Sequence, residues 1–197
     1  MVRIVQPPRD WTGFIAPALV AISIVVAVLA LVNTRRLARR KATLDLIEKV
    51  ESTDHYRTLN ATFSTLRRGR GFAHLANPAD EDDRADRARV NDYLNHYELV
   101  SIGIAQGILD EAFYRTWMRA PFVRDWNAAA DFVQRERWRR EVDGRWTYND
   151  RIFCNYQRMA RRWSKEALAL DAGYGGPPSD EAAGGPGDDP LPAADSG

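Results

Sequence analysis

Residues 14–32 read FIAPALVAISIVVAVLALV, nineteen positions without a charge. As a helix rising about 1.5 Å per residue, the run is roughly 28 Å long, close to the ~30 Å hydrocarbon thickness of a bilayer. Helical geometry satisfies backbone N–H and C=O groups internally, as lipid demands. Pro17 falls in the first turn, where a missing N–H costs little. Trp11 stands where an interfacial aromatic anchor belongs. A helix buried in a soluble core carries a polar stripe, whereas this run has only Ser23. A cleaved signal ends in an A-x-A-like site, and Ala30-Leu31-Val32-Asn33-Thr34 is a poor match. The expectation is a retained transmembrane helix over residues 13–33.

The flanks give the span a direction. Arg35, Arg36, Arg39, Arg40 and Lys41 follow it directly, while Arg3 and Arg9 precede it with Asp10 nearby. Basic residues beside a span are retained in the cytoplasm. This predicts a short extracytoplasmic segment, residues 1–12, and a cytoplasmic domain, residues 34–172, at the inner (plasma) membrane. The five basic residues also face membrane lipids, each gaining on the order of 1 kcal/mol near an anionic surface. Ser23 and Ala27 form a small-x-x-x-small pair, which suits close helix packing in lipid and a homo-oligomer.

The chain has 197 residues and a net charge of +1, so bulk charge selects no partner. About 135 residues remain after the apolar run and the tail, enough for one core. Arginine dominates the cations: Lys41, Lys49 and Lys165 are the lysines. That bias points to a GC-rich bacterial source. Cys154 is the single cysteine, which excludes an intrachain disulfide and C-x-x-C metal sites.

After the span the pattern is helical, and the fold class is all-α. Leu37, Leu44, Ile47 and Val50 share a face; Leu59, Phe63 and Leu66 continue at helical spacing, with a break or a continuous helix near Thr53. Residues 67–83 read as a loop before an acidic helix start. Val90, Tyr93, Leu94, Tyr97, Ser101, Ile104 and Ile108 mark the strongest stripe, with Gly103 and Gly107 near its end. Asp110 caps a short helix ending near Met118, with Leu109 and Tyr114 as a hydrophobic staple. Pro121 opens another helix, bearing Phe122, Trp126, Ala129 and Val133. Asp143-Gly144 is a turn. Thr147 and Asp150 resemble a capping box for a last helix presenting Ile152, Tyr156, Met159 and Trp163. Residues 173–197, rich in Gly, Pro, Ala and Asp, read as a disordered acidic tail.

The segment over residues 95–118, NHYELVSIGIAQGILDEAFYRTWM, resembles the bacterial "domain of unknown function 4760" family. The resemblance rests on Tyr97-Glu98, Gly103, Gly107, the residues Ile108, Leu109, Asp110 and Glu111, and Trp117; Trp126 extends it. It covers roughly residues 37–163. It implies a helical domain, often behind an N-terminal membrane span, and no established activity. It transfers no catalytic residue.

Candidate chemistry is sparse. His96 and Glu98 could exchange protons, but i and i+2 do not share a helix face, so buried structural polar roles are favoured. His55, His74 and His96 are scattered, and neither a metal nor a cofactor is expected. No phosphate loop, nucleophile elbow or dinucleotide fingerprint is present. Over residues 119–165, twelve Arg or Lys outnumber six Asp or Glu, densest at Arg135, Arg137, Arg139 and Arg140, with Trp138 among them. These four arginines are the candidate interaction surface, for a protein partner before nucleic acid. The acidic tail is a further candidate to dock on this basic region. The expectation is a non-enzymatic, membrane-anchored interaction or scaffold protein. A membrane-tethered enzyme or nucleic-acid-binding effector is the alternative.

Overall fold

The computed structural model describes residues 12–177. Residues 1–11, including Trp11 and nearly all of the segment expected outside the cytoplasm, and the part of the expected acidic tail beyond residue 177 lie outside the described residues. Among the described residues five α-helices appear in order: α1 (Thr12–Ser52), α2 (Asp54–Arg68), α3 (Glu81–Ala105), α4 (Glu111–Arg137) and α5 (Cys154–Trp163). A 3-10 turn (Ala73–Ala76) precedes α3. A hairpin of β1 (Trp138–Arg140) and β2 (Trp146–Tyr148) joins α4 to α5.

The apolar run and the segment after it form one helix, α1, of 41 residues. Thr53 ends it in extended backbone, and α2 starts at once, so the break falls where Ser, Thr and Asp cluster. The expected face through Leu37 and Leu44 is wrong: both are exposed. Thr43 is fully buried, with Leu46, Ile47 and Val50 half-buried behind it. These four follow i, i+3, i+4, i+7 spacing. The face is centred on a threonine because its hydroxyl bridges two backbones. Thr43 Oγ1 donates to the Arg39 carbonyl (2.9 Å) and accepts from Asp110 N–H (2.9 Å). An apolar-only pattern passes over such a residue.

α2 buries Leu59, Phe63 and Leu66 as its spacing predicts. The side chain of Asp80 caps α3 by accepting from Asp83 N–H (2.8 Å). The α3 stripe is buried from Val90 to Ile104, but Ile108 lies past the helix end and is exposed. Gly107 explains the stop. It adopts φ +67°, and Gly107 N–H and Ile108 N–H return to the Ile104 and Gly103 carbonyls (3.0 and 2.9 Å). This is the six-residue Schellman closure, which favours glycine at its left-handed position. Gly103 serves packing, since Leu109 Cδ1 lies 2.9 Å from where a Cβ would sit.

Pro121 does not open a new helix; α4 runs through it. The proline forfeits one helical hydrogen bond. Tyr114 before it and Phe122, Trp126, Ala129 and Val133 after it all reach the same core, so tertiary packing holds the helix straight through. The Thr147–Asp150 capping box is also wrong. Thr147 is in β2, opposite Arg139, and Asp143-Gly144 turns the hairpin with Gly144 at φ +82°. Ile152 precedes α5, while Tyr156, Met159 and Trp163 are buried on it. Beyond α5 the chain folds back along α4. Trp126 Nε1–H donates to the Leu168 carbonyl (2.9 Å), and the Gln134 amide donates to the Tyr174 carbonyl (2.7 Å).

The first turn of α4 joins α1 to the bundle through one carboxylate. Asp110 Oδ1 accepts from Phe113 N–H (3.0 Å) and Oδ2 pairs with Arg40 Nε (3.3 Å). The backbone bond from Phe113, aided by Arg40, holds its pKa below the ordinary carboxylate range. A depressed pKa contributes stability above the unfolded value, lost as pH falls through the folded one. Asp110→Ala is expected to destabilise the bundle by about 1 kcal/mol at pH 7, as for a lost helix cap. The difference from wild type should shrink as pH falls below the unfolded value of about 3.9 and disappear once pH has passed through the lower folded one. Urea melts across pH test this; a difference that persists in acid contradicts it.

Candidate functional site

Glu98 lies on the flank of α3 beside the buried Tyr97. Its carboxylate crosses to the start of α5. Oε1 accepts from Asn155 N–H (3.2 Å) and Asn155 Nδ2 (2.7 Å), and Oε2 accepts from Tyr156 N–H (2.7 Å). α5 needs this because its own N-cap residue, Phe153, sits at φ 53° and provides no side-chain cap. A carboxylate at a helix N-terminus meets both the free N–H groups and the positive dipole end. Glu98 is therefore a helix cap donated from another helix, and its lone pairs are engaged.

His96 points the other way, into the joint with α2. It is buried, its ring meeting Tyr56 edge-on at 4.9 Å between centroids. Burial lowers its pKa from 6.5 to about 4, so the ring is neutral at pH 7. His96 and Glu98 thus diverge as their i, i+2 spacing requires. Among the described residues, no group of three or more His, Cys, Asp or Glu converges on a metal position.

The arginine run divides. Arg135 and Arg139 are exposed, and Arg135 reaches the Ala73 carbonyl (3.2 Å). Arg140 is exposed on β1. Arg137 is not part of the surface: it is 1% exposed. Its guanidinium donates to the Ile152 carbonyl from Nε (2.9 Å) and Nη2 (2.8 Å), and to Gln157 Oε1 (2.8 Å) and the Leu170 carbonyl (3.2 Å) from Nη1. One planar fork of donors thereby ties together the turn before α5, α5 itself and the chain after it. At the other end of the bundle, Arg35, Arg36, Arg39, Arg40 and Lys41 are all exposed. Arg36, Arg39 and Arg40 line a recess of about 340 Å³ with Gly107, Leu109 and Asp110.

A buried polar cluster escaped the sequence reading. Asp125, 2% exposed, accepts from Tyr93 Oη (2.9 Å) and Arg124 Nε (2.9 Å), with Arg67 Nε at 3.5 Å. The Tyr93 and Tyr97 hydroxyls are 3.1 Å apart. Burial, then the Asp125 charge, raises the Tyr93 pKa; burial chiefly raises that of Tyr97. Both phenols stay protonated and act as donors. A signal was present: Asp125 falls at i+3 within the Phe122, Trp126, Ala129 stripe, a charge on a buried face. The cluster forms one wall of a cavity of about 350 Å³ between α1, α2, α3 and α4.

Two outcomes follow. Arg137→Ala orphans carbonyls on both sides of α5 and should cost on the order of 3 kcal/mol in a chemical melt; a surface arginine would cost almost nothing. For His96, the folded pKa lies below the unfolded 6.5, so the unfolded chain binds the extra proton. Stability should be level above pH 6.5 and fall by on the order of 3 kcal/mol towards pH 4. His96→Phe should flatten that part of the pH profile. A resonance assigned to His96 (the one lost in His96→Phe) titrating near 6.5 by NMR in the folded protein would contradict it.

The sequence model of the family described as "Domain of unknown function (DUF4760)" matches residues 17–163. No curated protein and no solved structure matches the chain. The match covers most of the chain and starts inside the apolar run, upstream of the resemblance read from residues 37–163. The chain belongs to this family.

Proposed function

From membership of this family as premise, we propose that the protein is a single-pass membrane protein whose bundle is a non-enzymatic interaction module. α1 spans the plasma membrane over residues 13–33, the N-terminus lies outside, and the bundle lies at the cytoplasmic surface. The observation that carries this reading is the division of α1. Its apolar half is long enough to cross a bilayer and has none of its surface covered by the bundle. Its second half, from Thr43, docks on α4 without a break in the helix. The first buried residue of α1, Thr43, lies about 16 Å beyond Val32 at helical rise, so the bundle is held on a short rigid stalk. The family match includes most of the apolar half, which supports its being an integral part of the domain.

Anchoring raises the concentration of the bundle for partners at the same membrane. The residues first considered for acid–base chemistry support the non-enzymatic reading. Glu98 is occupied as a cap and His96 is a neutral packing group. The burial of Arg137 thins the basic patch on which a nucleic-acid effector would depend.

A reporter enzyme that works only in the cytoplasm, fused after Arg68, should be active. Activity instead of an export-dependent reporter at that position overturns the orientation. Extraction in mild detergent should bring down a stoichiometric protein partner, and recovery of the isolated chain under several conditions counts against the interaction role.

A further inference from the structure

α1 borders two hollows that share one arginine. The upper one is the recess of about 340 Å³ where Arg36, Arg39 and Arg40 face the α3–α4 turn. The lower one, of about 480 Å³, lies on the apolar half of α1 and is lined by Val26, Leu29, Ala30, Val32, Asn33 and Arg36. Charge lies on one side of Arg36 and an apolar trough on the other, which is the division of an amphiphile.

The upper recess has two cations to spare. Its carboxylates are answered from within the protein: Asp110 is met by Arg40 and by Phe113 N–H. Glu111 pairs with Arg162 and accepts from Trp163 Nε1–H (2.9 Å). Among the described residues, the guanidinium groups of Arg36 and Arg39 have neither an ion pair nor a hydrogen bond. Arg39 lies over Gly107, with Nη2 3.5 Å from where a Cβ would sit. The turn adds no donor of its own, because the N–H groups of Gly107, Ile108, Leu109 and Asp110 are all bonded within the protein. An anion here is therefore gripped by guanidinium groups.

Depth follows from helical rise. With α1 crossing the bilayer, Arg36 lies about 6 Å and Arg39 about 10 Å beyond Val32. The headgroup layer is roughly 5–8 Å deep on each side of the hydrocarbon. Side chains on a helix lean towards its N-terminus, here back towards the membrane. From Arg36 to Val26 the lower trough runs about 15 Å, the depth that the acyl chains of one leaflet fill.

We infer that the two hollows together form a binding site for one anionic glycerophospholipid. The phosphodiester accepts from Arg36 and Arg39, and an acyl chain lies along Val26, Leu29 and Val32. The apolar trough favours a lipid over a free phosphate. The two spare cations favour an anionic headgroup over a zwitterionic one. Arg35 and Lys41 belong to the same basic border but line neither hollow, so they contribute little to the preference. The inference rests on the span proposed above; orientation decides only which leaflet supplies the lipid.

The probe is spin-labelled phosphatidylglycerol, compared with spin-labelled phosphatidylcholine, in phosphatidylcholine nanodiscs holding the full-length chain. EPR separates lipid immobilised on the protein from free lipid. At physiological salt, where exposed charges are screened beyond roughly 8 Å, phosphatidylglycerol should be preferred at least about fivefold. Arg36→Gln with Arg39→Gln should reduce this to within about twofold of no preference, whereas Arg35→Gln with Lys41→Gln, removing the same charge, should retain it. Both double variants should melt with the wild type, because none of the four side chains is bonded within the bundle. Equal losses in the two variants assign the effect to diffuse charge and overturn the site. So does displacement of the labelled lipid by millimolar inorganic phosphate, which identifies a free anion as the occupant. A chain that does not enter the discs overturns the span and the site with it; entry without a preference overturns the site alone.

Discussion

The Glu98 carboxylate on α3 ends a helix to which it does not belong. α5 begins at a residue in left-handed backbone with no capping side chain, and its leading N–H groups would otherwise face the interior unpaired. By accepting from Asn155 and Tyr156, Glu98 fixes where α5 starts and how it lies against α3. Much else follows from that placement. It sets Tyr156 in the core against Phe122 and Trp126, and Trp163 against Phe122. It also brings Gln157 within reach of Arg137, so the guanidinium can collect the carbonyls on either side of α5. The returning chain then docks along α4 through Trp126, Asn127 and Gln134.

The other end of the bundle is organised around a hydroxyl. Thr43 and Asp110 tie α1 to the start of α4, and Gly107 lets the α3–α4 connection turn tightly beneath Arg39. The stalk and the bundle thus share one continuous helix and one polar joint. The apolar half of α1 has no such joint, and its surface is left for whatever surrounds it. Both joints use polar groups at positions where sliding one helix past another would strand a buried donor or acceptor. Apolar packing alone would tolerate more slippage.

Reading periodicity succeeded where a helix has a single apolar face and a local boundary. α2 with Leu59, Phe63 and Leu66 is such a case, as is the α3 stripe. It failed where a polar side chain performs a buried task. Thr43 replaced Leu37 and Leu44 as the docking position, Arg137 left the surface, and Asp125 entered the core. It also failed where one element overrode local preference. Pro121 ordinarily marks a helix start, yet packing on both sides of it carries α4 through. The hairpin beyond Arg137 hid because its three-residue strands are too short for alternation to register.

By itself, the sequence determined the helical class, the long uncharged run with its basic border, and the helices whose faces are uniformly apolar. Those features depend on neighbours three or four residues apart, and side-chain chemistry at that range is written in the chain. Only the tertiary structure decided what Glu98, His96, Arg137 and Asp125 do. Each is a polar group whose buried surroundings come in large part from another element or from beyond a turn. A charge seen in sequence is equally compatible with water or with a cap across the core, and the distance to its partner alone separates the two.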